Sequence, residues 1–397
     1  MAGSSRAAAH VAVCTAAAHS HISPLLGVVT ELTRRGHRVS YVTTEEFAPL
    51  VRSAGATPVL LHSSLPTDPA DWPREVHRLP LLYLDDARTT LPELARSLEG
   101  DRPDLVLTED PAGAGSVLAA AWHIPVTQVW TYTASPTHWS LAEPGSPGAN
   151  PVGGEFLAGL DAFLAEHGVR GGARAHLSAR LAGGLVLTPR LFQPGGAELG
   201  PDFTFAGPAL PPLPTPAPDG WSPPPADGRP LALVTLGSID TAHPEFFKTV
   251  AEGFAGTEWR AVLAVGDRID PAELGPLPDG VTAHRWVPQR AVLDRASLAV
   301  HHGGMATVME CLHHGVTSLV VPRLREQAGN ARRLAELGLG GALPLRAVSP
   351  DAVRAAVARL HSDAGVRARV GAVREEIRGF RGAEAAADAV ERGLATS

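Results

Sequence analysis

SLAVHHGGMATVMECLHHGVTSLVVP, residues 297–322, contains a short apolar run, two histidines, two glycines, a helical pattern and a second apolar run. The order predicts a strand, a glycine turn, a helix and a second strand. The first strand, SLAV, ends at His301-His302, and the helix is expected to start near Ala306-Thr307. A strand and its successor joined through a helix form a βαβ unit, which builds a parallel sheet.

The same rhythm runs outward in both directions. HVAVCT (10–15), HRVSYVT (37–43), PDLVLTE (103–109) and PVTQVW (125–130) read as strands. SPLLGVVTELTRRG (23–36) reads as a helix, with Pro24 early and Gly36 as its stop. Prolines interrupt the rhythm in GPALPPLPTPAPDGWSPPPADGRP (207–230), because they suit neither a helix interior nor a central strand. It restarts with LALVTLGS (231–238) and RAVLAVG (260–266). The fold class expected is α/β, with two doubly wound Rossmann-like domains facing across a cleft. The boundaries expected are 1–206, a linker at 207–230, a second domain at 231–375, and a C-terminal helix at 376–397 crossing back to the first domain.

Composition narrows the function. The chain has 397 residues, 44% hydrophobic and 19% charged, which suits two soluble domains with their own cores. A net charge of −7 without a basic run argues against nucleic acid as the main partner. Cys14 and Cys311 are the only cysteines, too few for a disulfide framework, and a reducing cytoplasm is the expected location. No stretch reads as a signal peptide or a membrane span.

The histidine–glycine junction has a chemical reading of its own. A helix start leaves backbone N–H groups without intrahelical partners and carries partial positive charge. Glycines let a ligand approach the backbone, so the junction is suited to phosphate. Thr307 and His302 add side-chain donors. Such junctions also occur in α/β proteins without any ligand, so the residues alone leave both readings open. A metal shared by His302 and His313 is excluded by distance, since eleven helical residues span roughly 16 Å.

Four elements follow one another here: WVPQ from Trp286, HGGMATVME from His302, HGV from His314, and REQAGNA from Arg325. Together they resemble the donor-binding signature of NDP-sugar-dependent glycosyltransferases with the two-domain GT-B fold, in their bacterial macrolide or natural-product branch. AAAHSHISPLLGVVTELTRRGHRVSYVTTEEFAPLVRSAGATPV (16–59) resembles that branch's opening segment. The resemblance implies that Trp286 stacks on the nucleobase, with the Val287 backbone on the base edge. Gln289 would reach base or ribose, and Glu310 the ribose hydroxyls. His302, the backbone of Gly304 to Ala306, and the Thr307 hydroxyl would hold the diphosphate, with Ser238 beside it. Glu326 and Gln327 would bond the sugar. Ala306 stands where relatives often carry Gly or Asn, and Thr317 replaces the usual proline of GVP.

The same resemblance implies an inverting, metal-independent transfer with no cofactor beyond the nucleotide-sugar co-substrate. His21 matches the catalytic histidine, suited to act as a base near neutral pH. A carboxylate should orient it. Counting without gaps between PDLVL (103–107) and WHIP (122–125) puts Glu109 at the family's aspartate position. A local bulge would turn Asp110 inward instead. His19, Trp130, Tyr132 and Trp139 are candidates for the acceptor site, and core packing explains the aromatics equally well. The acceptor expected is a lipophilic natural product. UDP-glucose is the favoured donor, because a deoxysugar would leave the Glu326–Gln327 pair unsatisfied. The alternatives are a dTDP-deoxysugar donor, or a non-catalytic activator that binds sugar nucleotide.

Overall fold

The computed structural model of the chain describes residues 8–66, 75–142, 150–211, 222–237 and 242–395. Two compact units divide it: Met1–Pro211 with Arg381–Ser397, and Pro212–Phe380. Among the described residues the first unit holds β1 (His10–Cys14), β2 (Arg38–Thr43), β3 (Thr57–Leu60), β4 (Leu105–Thr108), β5 (Val126–Trp130), β6 (Gly184–Val186) and β7 (Phe203–Phe205). The second holds β8 (Leu231–Thr235), β9 (Arg260–Ala264), β10 (Val281–His284), β11 (Leu298–His301), β12 (Thr317–Val320) and β13 (Gly340–Ala342).

The strand orders are β3-β2-β1-β4-β5-β6-β7 and β10-β9-β8-β11-β12-β13, with every pairing parallel. Parallel strands are covered on both faces, so their sequences read as continuous apolar runs. HVAVC in β1 and LALVT in β8 are buried at every position. In each sheet the order reverses beside the first strand, between β1 and β4 and between β8 and β11. A doubly wound sheet binds its ligands at the carboxyl ends of the strands at that reversal.

The helix after β1 runs from His19 to Arg34 and buries Ile22, Leu25, Val28, Val29 and Leu32 on the first sheet. It starts four residues earlier than the Ser23 reading. The Ile22 N–H already bonds the Ala18 carbonyl at 3.0 Å, and Pro24 lacks only the donor that would reach Ser20. His19 and His21 therefore stand in the first helical turn and not in a loop.

The last helix, Gly382–Ala395, buries Ala386, Ala387 and Val390 in the same core. Arg35 fastens it with contacts to Asp388 at 2.6 Å and Glu391 at 3.2 Å. The preceding helix, Ala364–Gly379, belongs to the second unit, and Arg381 at φ 49° makes the break. Residues 212–221 of the proline-rich segment lie outside the described residues, and 222–230 form no helix or strand.

Candidate active site

In the first unit β1 and β4 are neighbours, with Cys14 opposite Thr108. The chain just past each strand therefore comes together at the sheet's reversal point. His21 comes from the helix after β1, and Glu109 directly follows β4. His21 Nδ1 lies 2.7 Å from Glu109 Oε1. The carboxylate is 5% exposed and the imidazole side chain 34% exposed, so a buried anion supports a ring that reaches outward.

The buried Glu109 carboxylate needs further donors to be tolerated. Ala16 N–H donates to the same Oε1 at 2.8 Å, and the Thr131 hydroxyl lies 3.4 Å from Oε2. Gln128, buried on β5, donates to the Glu109 carbonyl at 2.7 Å. A carboxylate on Nδ1 selects the tautomer with its proton there, which places the basic lone pair on Nε2.

β4 ends at Thr108, so strand alternation does not govern the next two residues. Asp110 is bound to its own loop, with Oδ1 accepting from Ala112 N–H at 2.8 Å. Burial pushes its carboxyl up to about 6, against the ordinary 3.8, with the Glu109 charge adding to the effect. His21, Glu109 and Asp110 all line a cavity of about 630 Å³, and so do Trp130, Tyr132 and Trp139. His19 is exposed, bonded to Ser23 Oγ at 3.1 Å, and is not among the lining residues.

The second unit repeats the arrangement. Gly237 lies just beyond β8, and His302 directly follows β11. The helix after β11 runs Met305–His314 with Gly304 as its N-cap, one residue ahead of the expected start. Its first helical bond joins Val308 N–H to Gly304 O, so the amides of Met305, Ala306 and Thr307 have no partner within the helix. The His302 ring rests against two bare Cα atoms. A Cβ on Gly304 would lie 2.5 Å from His302 Nε2, and one on Gly237 would lie 2.7 Å from Cε1.

Thr307 is buried in that first turn. Glu310, one turn further, accepts from Gln289 Nε2 at 2.6 Å, and burial raises its carboxyl above the ordinary range. Trp286 is 51% exposed, so its indole is not part of the core, while Val287 packs against a buried cluster. Glu326 is exposed in the first turn of the helix Arg325–Glu336. Gln327 is buried, and its Oε1 accepts from Arg323 N–H at 2.9 Å and Leu324 N–H at 3.1 Å. Ser238 lies outside the described residues.

Residues 258–387 match the family model described as the C-terminal domain of the erythromycin biosynthesis protein CIII-like proteins. Over nearly its whole length the chain is 33% identical to the NDP-glycosyltransferase YjiC of Bacillus licheniformis, covering 97% of this chain and 98% of that one. It is 35% identical to the demethyllactenocin mycarosyltransferase of Streptomyces fradiae, covering 96% of this chain and 86% of that one. The crystal structure of the calicheamicin glycosyltransferase CalG4 superposes with a TM-score of 0.83, at 33% identity and 98% coverage of both chains. The chain belongs to the bacterial NDP-sugar glycosyltransferases of the natural-product branch.

The glycosyltransferase is an α/β protein of the GT-B fold. Among the described residues no helix is long and apolar enough to cross a membrane. Several side chains at the glycosyltransferase's candidate site escape sequence reading. Gln128 and Thr131 hold Glu109, and only the strand pairing reveals it. His138 and Phe156 stack in the cavity wall, with ring centroids 5.3 Å apart, from segments 18 residues apart.

Proposed function

We propose that this glycosyltransferase moves a hexose from a nucleotide sugar to a hydroxyl of a lipophilic natural product, such as a macrolide or polyketide, with inversion. The observation that carries this reading is the 2.7 Å contact of His21 with the buried Glu109 in the wall of a roughly 630 Å³ cavity. The acceptor hydroxyl gives its proton to His21 Nε2 as its oxygen attacks the anomeric carbon. The bond to the nucleoside diphosphate breaks, and the diphosphate carries away the electron pair. Glu109 stabilises the imidazolium that forms.

The donor is held by the second unit. Trp286 stacks on the base, and Glu310, steadied by Gln289, accepts from the ribose hydroxyls. The first-turn amides beyond Gly304, with His302 and Thr307, take the diphosphate charge.

UDP-glucose is the favoured donor, with the Glu326 carboxylate and Gln327 Nε2 directed to sugar hydroxyls. The engagement of Gln327 Oε1 with two backbone amides favours a second reading. A dTDP-deoxysugar lacking one hydroxyl would leave that oxygen satisfied all the same. Incubation with UDP-glucose and dTDP-glucose, with and without a phenolic acceptor, tests the proposal. A β-linked product from an α-linked donor, read by the anomeric proton coupling, supports it. An α-linked product, or no acceptor-dependent turnover with either donor, contradicts it.

A further inference from the structure

His301 closes β11 and is 0% exposed, paired in register with Val320 on β12 and Thr235 on β8. Burial pushes its imidazole down to about 3, so the ring is neutral. Nδ1 accepts from Gly303 N–H at 3.1 Å, which leaves the ring proton on Nε2. Nε2 has no hydrogen-bond partner among the described residues. A buried donor without a partner costs stability. Leu298 and Val300 fill the same strand without that cost. What His301 adds over an apolar residue is its contact with Gly303.

The carbonyl of Gly303 is held as well. Asn330 is buried, and its Nδ2 donates to Gly303 O at 2.9 Å. The N–H and the carbonyl belong to the two peptide planes on either side of Gly303. Fixing them sets the direction of His302 on one side and of Gly304 on the other. Gly303 has φ 92°, which favours glycine. A Cβ there would lie 2.6 Å from Val320 Cγ1 and 3.2 Å from Gln327 O, so the residue is seated on β12 and on the helix Arg325–Glu336. Asn330 stands one turn beyond Glu326 and Gln327 on that helix.

Donors aimed at an anion act most strongly when they are fixed before it arrives. We propose that His301 and Asn330 are positioning residues that clamp Gly303 and thereby aim His302 and the amides beyond Gly304 at the diphosphate. Asn330 also ties this turn to the helix that carries Glu326 and Gln327, so the diphosphate and sugar contacts keep one register. This rests on the reading of the turn as the diphosphate site.

Calorimetric titration of the full chain with UDP, and thermal melts of the same preparations, test it. Asparagine places Oδ1 where histidine has Nδ1, so His301→Asn keeps the acceptor for Gly303 N–H. His301→Leu fills the space and removes it. His301→Leu is expected to weaken UDP binding by about fivefold or more, and His301→Asn to stay within about twofold of the parent, although its smaller side chain melts no higher than leucine. If the leucine variant does not fold, His301→Gln replaces it, since its amide lies one bond further out. Asn330→Leu is expected to weaken UDP binding by about threefold or more. The double variant is expected to lose less than the product of the single losses, because both side chains act on one residue. An asparagine variant as weak as the leucine or glutamine variant, affinities that follow the melting temperatures, or independent losses in the double variant overturn the proposal. Parent-like affinity in His301→Leu and Asn330→Leu overturns it alone if His302→Ala weakens UDP. If His302→Ala is also parent-like, the diphosphate reading falls with it.

Discussion

The Nδ1 atom of His21 lies 2.7 Å from Glu109 Oε1, although 88 residues of chain separate them. Strand order explains the meeting. β1 and β4 are adjacent and parallel, and each residue enters just past the carboxyl end of its strand. Asp110, one residue further, binds its own loop at Ala112.

Exchanging the two acids for amides separates their roles. Glu109→Gln keeps the shape but cannot stabilise an imidazolium, so kcat should fall by about 10²–10⁴-fold. Asp110→Asn keeps the acceptor that meets Ala112, so kcat should stay within about fivefold, well short of the loss expected for a residue in the proton transfer. Steady-state rates of both variants decide this. Loss in the Asp110 variant with retention in the Glu109 variant would reverse the assignment.

Asp110 should also shape stability against pH. Its carboxyl titrates at about 6 in the folded chain, against an ordinary 3.8, so the unfolded chain gives up the proton first. As pH rises between those values the unfolded state gains, and the native state loses stability that is not regained above pH 6. Asp110→Asn removes the effect. The variant should be more stable than the parent by on the order of 1–3 kcal/mol at pH 8 and nearly equal to it at pH 4. Urea unfolding at the two pH values measures this, and an equal difference at both contradicts it.

Trp286 is 51% exposed, so little of the fold depends on it. Trp286→Ala should leave the melting temperature within a few degrees. It should weaken UDP or dTDP binding by roughly 1–3 kcal/mol, the range measured for an aromatic side chain stacked on a base. Unchanged nucleotide affinity in a calorimetric titration places the base elsewhere.

Gln327 joins a structural duty to its proposed contact with sugar. Its Oε1 receives the amides of Arg323 and Leu324 ahead of the helix Arg325–Glu336. Gln327→Ala should therefore cost about 1 kcal/mol of stability, as lost helix caps do. It should also weaken sugar-nucleotide binding more than binding of the free nucleoside diphosphate. Gln327→Glu keeps the accepting oxygen and should restore stability but not the sugar contact. Parallel thermal melts and titrations with UDP and UDP-glucose separate the two duties. Equal losses for both ligands place the side chain away from the sugar.

The long central strands were legible because a strand covered on both faces is apolar throughout, as in LALVT of β8. β6, β7 and β13 have three residues each, too few to show a period, and they are defined by their neighbours. The start of the first helix was misplaced because Pro24 resembles a first-turn residue, whereas it stands inside the helix. Trp286, Glu310 and Gln327 were singled out as donor-site candidates through motifs of fixed spacing. The motif could not show that Gln327 caps its own helix start, since that depends on where the loop before it turns. Gln128 supports Glu109 from β5, and only strand adjacency makes them neighbours.

The central claim is that His21 takes the acceptor's proton. Single-turnover sugar transfer by His21→Ala, with donor affinity measured on the same preparation, tests it most directly. The account predicts a rate lower by about 10²–10⁴-fold with donor affinity within twofold of the parent. Transfer at more than a tenth of the parent rate contradicts it, and the base must then be sought among other groups of the cavity.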